Sequence, residues 1–326
     1  MTGPLVVTGS IAVDYLMRFR GRFADRLVAE QLERVSLSFL VDDLTVRRGG
    51  VAANIAFGLA ALGTSAVLVG AVGADSEDYR AWLEDHRIDT KSLRVSRERW
   101  SARFLCTTDE ADNQIASFYA GAMTEAAEIG LGGIADRVGR PGLVVIAPND
   151  PRAMVRHTRE CRERGYPFAA DVSQQLAIMT GAEVRDLVDG AEYLFTNAYE
   201  AALLRGTGWR HEEVLDRVGA WVITHGAGGV TIERKARPVL AVGAVPVAGR
   251  ADPTGVGDAF RAGFLWGHHH RLGLERSAQV GCTLATIVLE TVGPQEYVLE
   301  RGRFADRVAQ TYGGEAAGDV ESRLRV

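Results

Sequence analysis

Residues 252–258 form a glycine-rich turn, DPTGVGD, whose residue types suit the binding of a phosphate group. The apolar segment AFRAGFLWG follows at once and predicts a long helix that begins at this turn. A helix N-terminus presents free backbone N–H groups and the positive end of the helix dipole, and Gly255 and Gly257 let the backbone approach an anion closely. Asp258 stands in the first helical turn, where an acidic side chain stabilises the helix whether or not a ligand binds.

The sequence lacks two common nucleotide-binding motifs. Its lysines are Lys91 and Lys235, and neither follows the Gly-x-x-x-x-Gly spacing in which a P-loop lysine reaches the phosphates. The segment TGSIAVD, after the first predicted strand, holds one glycine and does not match the dinucleotide-binding pattern. A nucleotide must therefore be held by backbone amides, arginines and a metal ion.

The turn resembles the signature of the ribokinase, or PfkB-like, family of kinases, which reads D-T-x-G-A-G-D-x-F at the start of a helix. The matching residues are Asp252, Thr254, Gly255, Gly257, Asp258 and Phe260. The resemblance implies that Asp258 is the catalytic base for an acceptor hydroxyl, and that the N–H groups from Gly255 to Asp258 stabilise the transferring phosphoryl group. It also implies ATP and Mg²⁺ as cofactors and K⁺ as a candidate cation, with Asp252 and Thr254 as its oxygen ligands.

Two N-terminal segments fit the same family in the expected order. GGVAAN at residues 49–54 resembles the motif in which a glycine lets a sugar ring lie against backbone and an asparagine binds its hydroxyls, which implies these roles for Gly50 and Asn54. An ordinary turn from strand to helix is the alternative. GSIAVD at residues 9–14 resembles the segment whose aspartate accepts hydrogen bonds from two sugar hydroxyls, which implies that role for Asp14, with Ser10 adding a further bond.

Two later segments resemble the motifs that hold the nucleotide in this family. TNAYE resembles the N-x-x-E motif, which helps to place Mg²⁺ and the phosphates, and THGAGG resembles the T-x-G-x-x-G nucleotide loop. The residues implied are Asn197 and Glu200 in the first motif and Thr224, Gly226 and Gly229 in the second. A solvated polar pair on one helix face and a plain hairpin turn are the alternatives.

Short β-rich apolar runs alternate with helical patterns, which predicts an α/β fold with a doubly wound, mainly parallel sheet and helices on both faces. The predicted strands are residues 5–7, 66–69, 143–146, 168–171, 193–196 and 221–224, and the predicted helices are residues 51–62 and 77–85, one from 152 and one near 184. The resemblance implies a single ribokinase-like domain over residues 1–326. The polar segment GEAAGDVESRLRV at the C-terminus is predicted to fray.

Two regions interrupt the alternation and predict a small antiparallel flap, or lid, built from about residues 12–46 and 100–120. Residues 36–46 are predicted to form one strand, and residues 102–118 to form two strands joined by the polar turn DEADN. Apolar residues at helical spacing predict an amphipathic helix over residues 23–32.

The lid is the part of the sequence that indicates the phosphate acceptor, because its segments around Ser38, Phe104 and Phe118 resemble actinobacterial-type adenosine kinases. In those enzymes aromatic residues enclose the purine and two subunits pair through their lids. The resemblance implies a homodimer that transfers the γ-phosphoryl group of ATP to the 5′-hydroxyl of adenosine, giving AMP in purine salvage. A nucleoside pocket needs an aromatic face for the base. The alternative is that both phenylalanines only cover the lid.

Composition restricts the other classes of function. The formal net charge is −5 and charges of both signs are mixed along the chain, so no footprint for nucleic acid is present. The sequence has no apolar run of about 20 residues and no basic region at its N-terminus, which predicts a cytoplasmic protein without a membrane partner. Cys106, Cys161 and Cys282 are far apart and predicted to be reduced core thiols. A kinase for ribose, fructose or another nucleoside stays open, as does a nucleoside-binding regulator that has lost catalysis.

Overall fold

The computed structural model describes residues 3–26, 38–249 and 252–325. The strands are β1 (Leu5–Thr8), β2 (Ala12–Arg18), β3 (Asp43–Gly49), β4 (Ala66–Gly73), β5 (Asp89–Ser96), β6 (Ala102–Thr108), β7 (Gln114–Tyr119), β8 (Leu143–Ile146), β9 (Phe168–Asp171), β10 (Tyr193–Asn197), β11 (Ala220–Thr224), β12 (Val230–Glu233) and β13 (Leu240–Val242). The helices are α1 (Val51–Ala61), α2 (Glu77–Asp85), α3 (Leu131–Val138), α4 (Pro151–Arg164), α5 (Gly181–Val188), α6 (Ala198–Gly206), α7 (His211–Leu215), α8 (Val256–His269), α9 (Gly273–Leu289), α10 (Arg301–Tyr312) and α11 (Gly314–Glu321).

The larger sheet has nine strands in the order β13-β12-β11-β10-β9-β8-β1-β4-β5. Pairs from β11 to β5 are parallel, and the two pairs that involve β12 are antiparallel. The predicted fold class is confirmed. Because the chain fills the sheet outward from β1 in both directions, the order reverses between β1 and β8. Ligands of open α/β sheets bind beyond the carboxyl ends of the strands at such a point.

The central strands of this sheet, β9, β8, β1 and β4, are buried on both faces. Along β1, Leu5 and Val7 contact one apolar cluster, which includes residues of α1, α8 and α9, while Val6 contacts a second cluster that includes residues of α4 and α5. Alternating side chains of a strand point to opposite faces, so each short strand needs apolar residues at every position. This is the physical reason why continuous apolar runs predicted these strands.

The smaller sheet is the lid, with the strand order β3-β2-β6-β7. Its outer pairs are antiparallel, and its central pair, β2 with β6, is parallel. The polar turn between β6 and β7 lies where the sequence predicted it. Asp109 holds this turn, because its carboxylate accepts hydrogen bonds from the backbone N–H groups of Phe23, Ala111 and Asn113.

The first lid segment differs from its prediction. Of the strand predicted over residues 36–46, residues 36–37 lie outside the described residues and residues 38–42 form no strand, so the strand runs from Asp43, opposite Arg18, to Gly49, opposite Ala12. The strand shifts toward the C-terminus because its pairing with β2 continues until Gly49 leads into α1. Of the helix predicted over residues 23–32, residues 23–26 form a 3-10 turn and the rest lie outside the described residues.

The structure also bears on the C-terminal segment, the cysteines and the prediction that no helix spans a membrane. The C-terminal segment does not fray, because α11 buries Ala316 and Val320 against the core. The three cysteines are free and buried, as predicted. Within the described ranges, the structure contains no helix that is both long enough and apolar enough to span a membrane.

Candidate active site

The glycine-rich turn begins α8 in the way the sequence predicted. Gly255 precedes the helix with a φ of 75°, in the left-handed region. A Cβ atom on Gly255 would lie 2.4 Å from Cβ of Pro294, so both conformation and space require glycine. No side chain caps the helix within the part of the chain that the structure describes. The N–H of Val256 donates to the carbonyl of Pro253 at 3.3 Å, which leaves the N–H groups of Gly257 and Asp258 available to an anion.

Asp258 lies in the first turn of α8 with its side chain largely buried. Its Oδ2 accepts a hydrogen bond of 2.8 Å from Nδ2 of Asn54, and its Oδ1 is 4.0 Å from Nη1 of Arg261. Burial raises the pKa of Asp258, while Arg261 and the hydrogen bond from Asn54 act in the opposite direction. A buried carboxylate that keeps a free oxygen has the properties of a general base.

A cleft of about 640 Å³ opens between the lid and the carboxyl edge of the larger sheet, a volume typical of small-molecule sites. The predicted site residues that line it are Ser10, Asp14, Gly50, Asn54, Phe104, Phe118, Thr254, Gly255 and Asp258. These residues come from both ends of the chain. Pro148, after β8, also lines the cleft, and its carbonyl accepts a hydrogen bond from the N–H of Ser10, after β1. The cleft therefore lies at the point where the sheet order reverses.

The inner face of the lid combines a carboxylate with two aromatic rings. Asp14 of β2 lies opposite Phe104 of β6, and Phe104 lies opposite Phe118 of β7. Residues opposite each other in register share one face of a sheet. A polar group that binds hydroxyls and an apolar surface that accepts a flat ring are thus placed side by side.

The carboxylate of Asp14 is half-buried, and its pKa is raised to about 6. Burial is the largest cause and the nearby Asp258 acts in the same direction, while Arg47, opposite Asp14 in the lid, acts in the opposite direction. A Cβ atom on Gly49 would lie 2.6 Å from Oδ2 of Asp14, so glycine leaves room for this side chain. The next residue, Gly50, has a φ of 95°, and a Cβ there would meet the backbone of residues 10–12 at 2.6 Å.

Sequence reasoning missed a buried ion pair beneath the turn. The guanidinium group of Arg261 contacts both carboxylate oxygens of Asp171, with Nε to Oδ2 at 2.6 Å and Nη2 to Oδ1 at 2.7 Å. Burial lowers the pKa of Arg261, but Asp171 and Asp258 outweigh it, so the pKa is raised and the group stays charged. A Cβ on Gly257 would lie 2.8 Å from Nη1 of Arg261. This positive charge therefore lies directly under the predicted anion site.

The residues predicted to hold the nucleotide lie elsewhere along the same edge. Asn197 and Glu200 form a reciprocal cap of α6, in which each side chain accepts a hydrogen bond from the other residue's N–H at 2.8 Å. Thr224, at the end of β11, lies opposite Asn197. Gly226 is exposed, and a Cβ on it would meet no atom within 4 Å. Packing alone requires glycine at position 229, because a Cβ on Gly229 would lie 2.1 Å from the carbonyl oxygen of Val242.

Ser38 does not reach the cleft. It is exposed, outside the lining residues, and ahead of the strand that the prediction had extended to include it. Several lining residues had not been predicted: Ala120, Met123, Asp150, Gln174, Gln175 and Ile178. A signal existed for Asp150, because an aspartate followed by proline right after a predicted strand marks a helix start at the sheet edge. The others lie in or directly beside two 3-10 segments, Gly121–Glu128 and Ser173–Ala177, which the sequence analysis did not identify.

The described residues fit ATP and Mg²⁺ better than they fit K⁺. The uncapped start of α8, with Arg261 beneath it, suits the phosphates of ATP. No group of three or more potential metal-ligating side chains occurs among residues 3–26, 38–249 and 252–325. Mg²⁺ in nucleotide sites keeps several waters and is held largely by substrate phosphates, so it would need few ligands from the protein. Potassium fits less well, because Asp252 already accepts hydrogen bonds from the N–H groups of Thr254 and Gly293.

The parallel sheet, the lid and the glycine-rich turn at the start of a helix together define the ribokinase-like kinase fold. The chain matches the pfkB family of carbohydrate kinases over residues 8–301, and it belongs to this family.

Solved and curated relatives agree with this assignment. The structure of Burkholderia thailandensis nucleoside kinase in complex with inosine is similar over 95% of this chain and 98% of that chain, with a TM-score of 0.84 and 33% identity. The nucleoside kinase of Methanocaldococcus jannaschii is 26% identical over 301 residues, covering 89% of this chain and 92% of that protein. That of Methanothermobacter thermautotrophicus is 26% identical over 315 residues, covering 95% and 97%.

Proposed function

We propose that the protein is an ATP-dependent nucleoside kinase that phosphorylates the 5′-hydroxyl of adenosine, giving AMP and ADP. The observation that carries the proposal is the single cleft in which Asp14, Phe104 and Asp258 meet at the start of α8. The similar proteins named as nucleoside kinases, one of them bound to inosine, support a nucleoside as acceptor. The aromatic inner face of the lid supports a purine rather than a free sugar.

In the proposed mechanism, Asp14 and Asn54 hold the ribose against Gly50, and Phe104 stacks on the base. The 5′-hydroxyl then points to Asp258, which accepts its proton as the oxygen attacks the γ-phosphorus in line. The backbone donors from Gly255 to Asp258, with Arg261 below them, stabilise the charge of the transferring group. Mg²⁺ bound to ATP supplies charge neutralisation at the phosphates. Closure of the lid excludes water as a competing acceptor.

An acceptor assay tests the proposal directly. Purified protein with MgATP is given adenosine, inosine, guanosine, ribose or fructose, and ADP and the phosphorylated product are quantified. We expect the highest kcat/KM with adenosine. Preference for another nucleoside would correct the acceptor only, preference for a free sugar would reject the nucleoside reading, and binding without turnover would identify a regulator that has lost catalysis.

The acid limb of the pH profile should report Asp14. Because the pKa of Asp14 is raised to about 6, its carboxyl is protonated below that pH and loses acceptor capacity for ribose hydroxyls. We expect kcat/KM for adenosine to fall about tenfold per pH unit below about pH 6. Protonation of Asp258 would lower kcat as well as kcat/KM. A part of the pH dependence that appears in kcat/KM but not in kcat therefore belongs to Asp14. Asp14→Asn should abolish that component, and its persistence in the variant would contradict the assignment.

We further propose that two copies pair through the outer face of the lid. This face carries exposed apolar side chains on the side opposite Asp14 and Phe104, namely Leu44, Val46, Leu105, Ile115 and Tyr119. A continuous apolar surface on one side of a small sheet is costly in water and is self-complementary across a two-fold axis. Pairing would brace each lid against its neighbour.

Light scattering should give about twice the 35.2 kDa mass of one chain. Leu44→Glu places a charge in the outer face and is expected to yield monomers with lower activity. Val239→Glu is the matched control, because Val239 is equally exposed, at 58%, but lies outside the lid. A wild-type monomer with full activity would reject the proposed dimer.

A further inference from the structure

Gln295 lies at the end of a buried chain of hydrogen bonds that leads to Asp258. Its Nε2 donates to Oδ1 of Asn54 at 2.9 Å and to the hydroxyl of Tyr79 at 2.7 Å. Asn54 donates in turn from Nδ2 to Oδ2 of Asp258 at 2.8 Å, and Tyr79 donates to the carbonyl of Gly49 at 2.8 Å. Gln295 itself is 2% exposed.

The groups at the two ends of this hydrogen-bonded chain, Asp258 and the carbonyl of Gly49, determine which atom donates in every hydrogen bond. The ionised carboxylate of Asp258 and the carbonyl of Gly49 can only accept, so Asn54 and Tyr79 must donate to them. Asn54 then presents its oxygen to Gln295, and Tyr79 presents its lone pair. The oxygen of Asn54 and the hydroxyl oxygen of Tyr79 each accept one of the two N–H donors of the Gln295 amide. Among the described residues, Oε1 of Gln295 has no partner, so only the donor side of this amide is used.

The residues before Gln295 contact the anion-binding turn. Gly293 donates its N–H to Oδ2 of Asp252 at 3.2 Å, and Pro294 packs against Gly255 so closely that a Cβ on Gly255 would lie 2.4 Å away. Three consecutive residues thus touch the start of the turn, its central glycine and the partner of the candidate base. The segment is a rigid support for the site rather than a surface loop.

We infer that Gln295 is a positioning residue, which orients the amide of Asn54 so that it donates to Asp258 and keeps that carboxylate ionised and aligned. The expected effect of Gln295 on kcat rests on the proposed function, whereas its expected effect on the orientation of Asn54 and the pKa of Asp258 does not. Without the two donors of Gln295, the Asn54 amide is free to rotate by 180° and present its oxygen to Asp258. That arrangement favours the protonated acid, which cannot accept the proton of an acceptor hydroxyl.

Other charged groups around Asp258 are unaffected by a change at Gln295. Arg261 faces Asp258 from its own helix, Asp14 faces it from the lid, and Asp171 from the end of β9. The buried phenol of Tyr297 is also close enough to be influenced by Asp258. A shift in the titration of Asp258 in an uncharged variant of Gln295, such as Gln295→Met, therefore reports the orientation of Asn54.

The test compares Gln295→Met, which removes both donors, with Gln295→Glu, which replaces them with acceptors. The carboxyl resonance of Asp258 is titrated by NMR in ligand-free protein, a readout that needs no catalysis. We expect its pKa to rise by roughly 1 unit in Gln295→Met and by more in Gln295→Glu, because the latter forces Asn54 to donate toward position 295 and can add a negative charge near Asp258. The kcat of Gln295→Met should fall by up to about tenfold below the pH at which Asp258 titrates and recover at high pH, since a shift of one unit corresponds to a tenfold loss there.

Gln279→Met is the matched control, because Gln279 is also buried, at 6% exposed, but bonds to Arg276 in α9 and not to the site. It should lower the unfolding temperature without moving the titration of Asp258. An unchanged titration in both folded Gln295 variants, or an equal shift in Gln279→Met, would overturn the inference. If wild-type protein shows no phosphoryl transfer, the proposed function fails while the NMR titration still decides the role of Gln295.

Discussion

Asp258→Asn should lower kcat by about 10²- to 10⁴-fold, the usual effect of removing a general base. This corresponds to about 3 to 5 kcal/mol of activation free energy. The substituted amide keeps the shape of the side chain, and its oxygen still accepts the hydrogen bond from Asn54. The change therefore removes proton acceptance while the cleft keeps its form. Adenosine binding, measured by calorimetry, should stay within a few-fold of wild type.

A matched control separates this effect from a general loss of negative charge. Asp150 lines the same cleft but caps α4, where its side chain accepts a hydrogen bond from the N–H of Arg152. Asparagine caps helices about as well as aspartate, so Asp150→Asn should change kcat by only a few-fold. More than half of the wild-type kcat in Asp258→Asn would show that another group accepts the proton.

Phe104→Ala is expected to raise the KM for adenosine between about 5-fold and 150-fold. Stacking of a base on an aromatic ring is worth about 1–3 kcal/mol by alanine substitution, and 1.4 kcal/mol is a factor of ten. Phe104 lies opposite Asp14 on the inner face of the lid, so its ring and the ribose-binding carboxylate would contact the two halves of one nucleoside. A free sugar has no base to stack. The kcat/KM for ribose should therefore change far less than that for adenosine.

The decisive quantity is the ratio of kcat/KM for adenosine to that for ribose, measured in folded wild type and variants. Phe104→Leu serves as the control, because leucine keeps much of the apolar volume but has no aromatic face. If stacking is the role, the ratio falls in both variants. If Phe104 only packs the lid, leucine should restore activity toward every acceptor, and an unchanged ratio in Phe104→Ala would remove the main physical support for adenosine.

The glycine-rich turn and the core strands could be predicted because each depends on a few consecutive residues. Gly255 and Gly50 occupy left-handed conformations with no room for a Cβ, so the local pattern and the observed geometry have one cause. The buried strands required apolar residues on both faces, and the runs at residues 143–146 and 168–171 were predicted with their observed bounds. In these places the conformational preference of the residues agrees with their burial.

Prediction failed where tertiary pairing outweighed local pattern. Strand β3 is set by its register with β2 and not by its own apolar content, since its exposed residues include Leu44 and Val46. Strand β5, DTKSLRVS, is an edge strand with polar residues and had no apolar run to indicate it. Ser38 was included in the site because its segment resembles that of adenosine kinases, but it lies ahead of β3 and is exposed.

By itself, the sequence determined the fold class and the glycine-rich turn at the start of α8, because these follow from backbone conformation and hydrophobic pattern over short distances. The tertiary structure alone decided the electrostatics of the site. Asp171 and Arg261 are 90 residues apart, and Asn54 and Gln295 are 241 residues apart, yet each pair is in direct contact. The pKa of a carboxyl such as Asp14 depends on burial and on charges brought near it by folding, and neither is encoded in its neighbours along the chain.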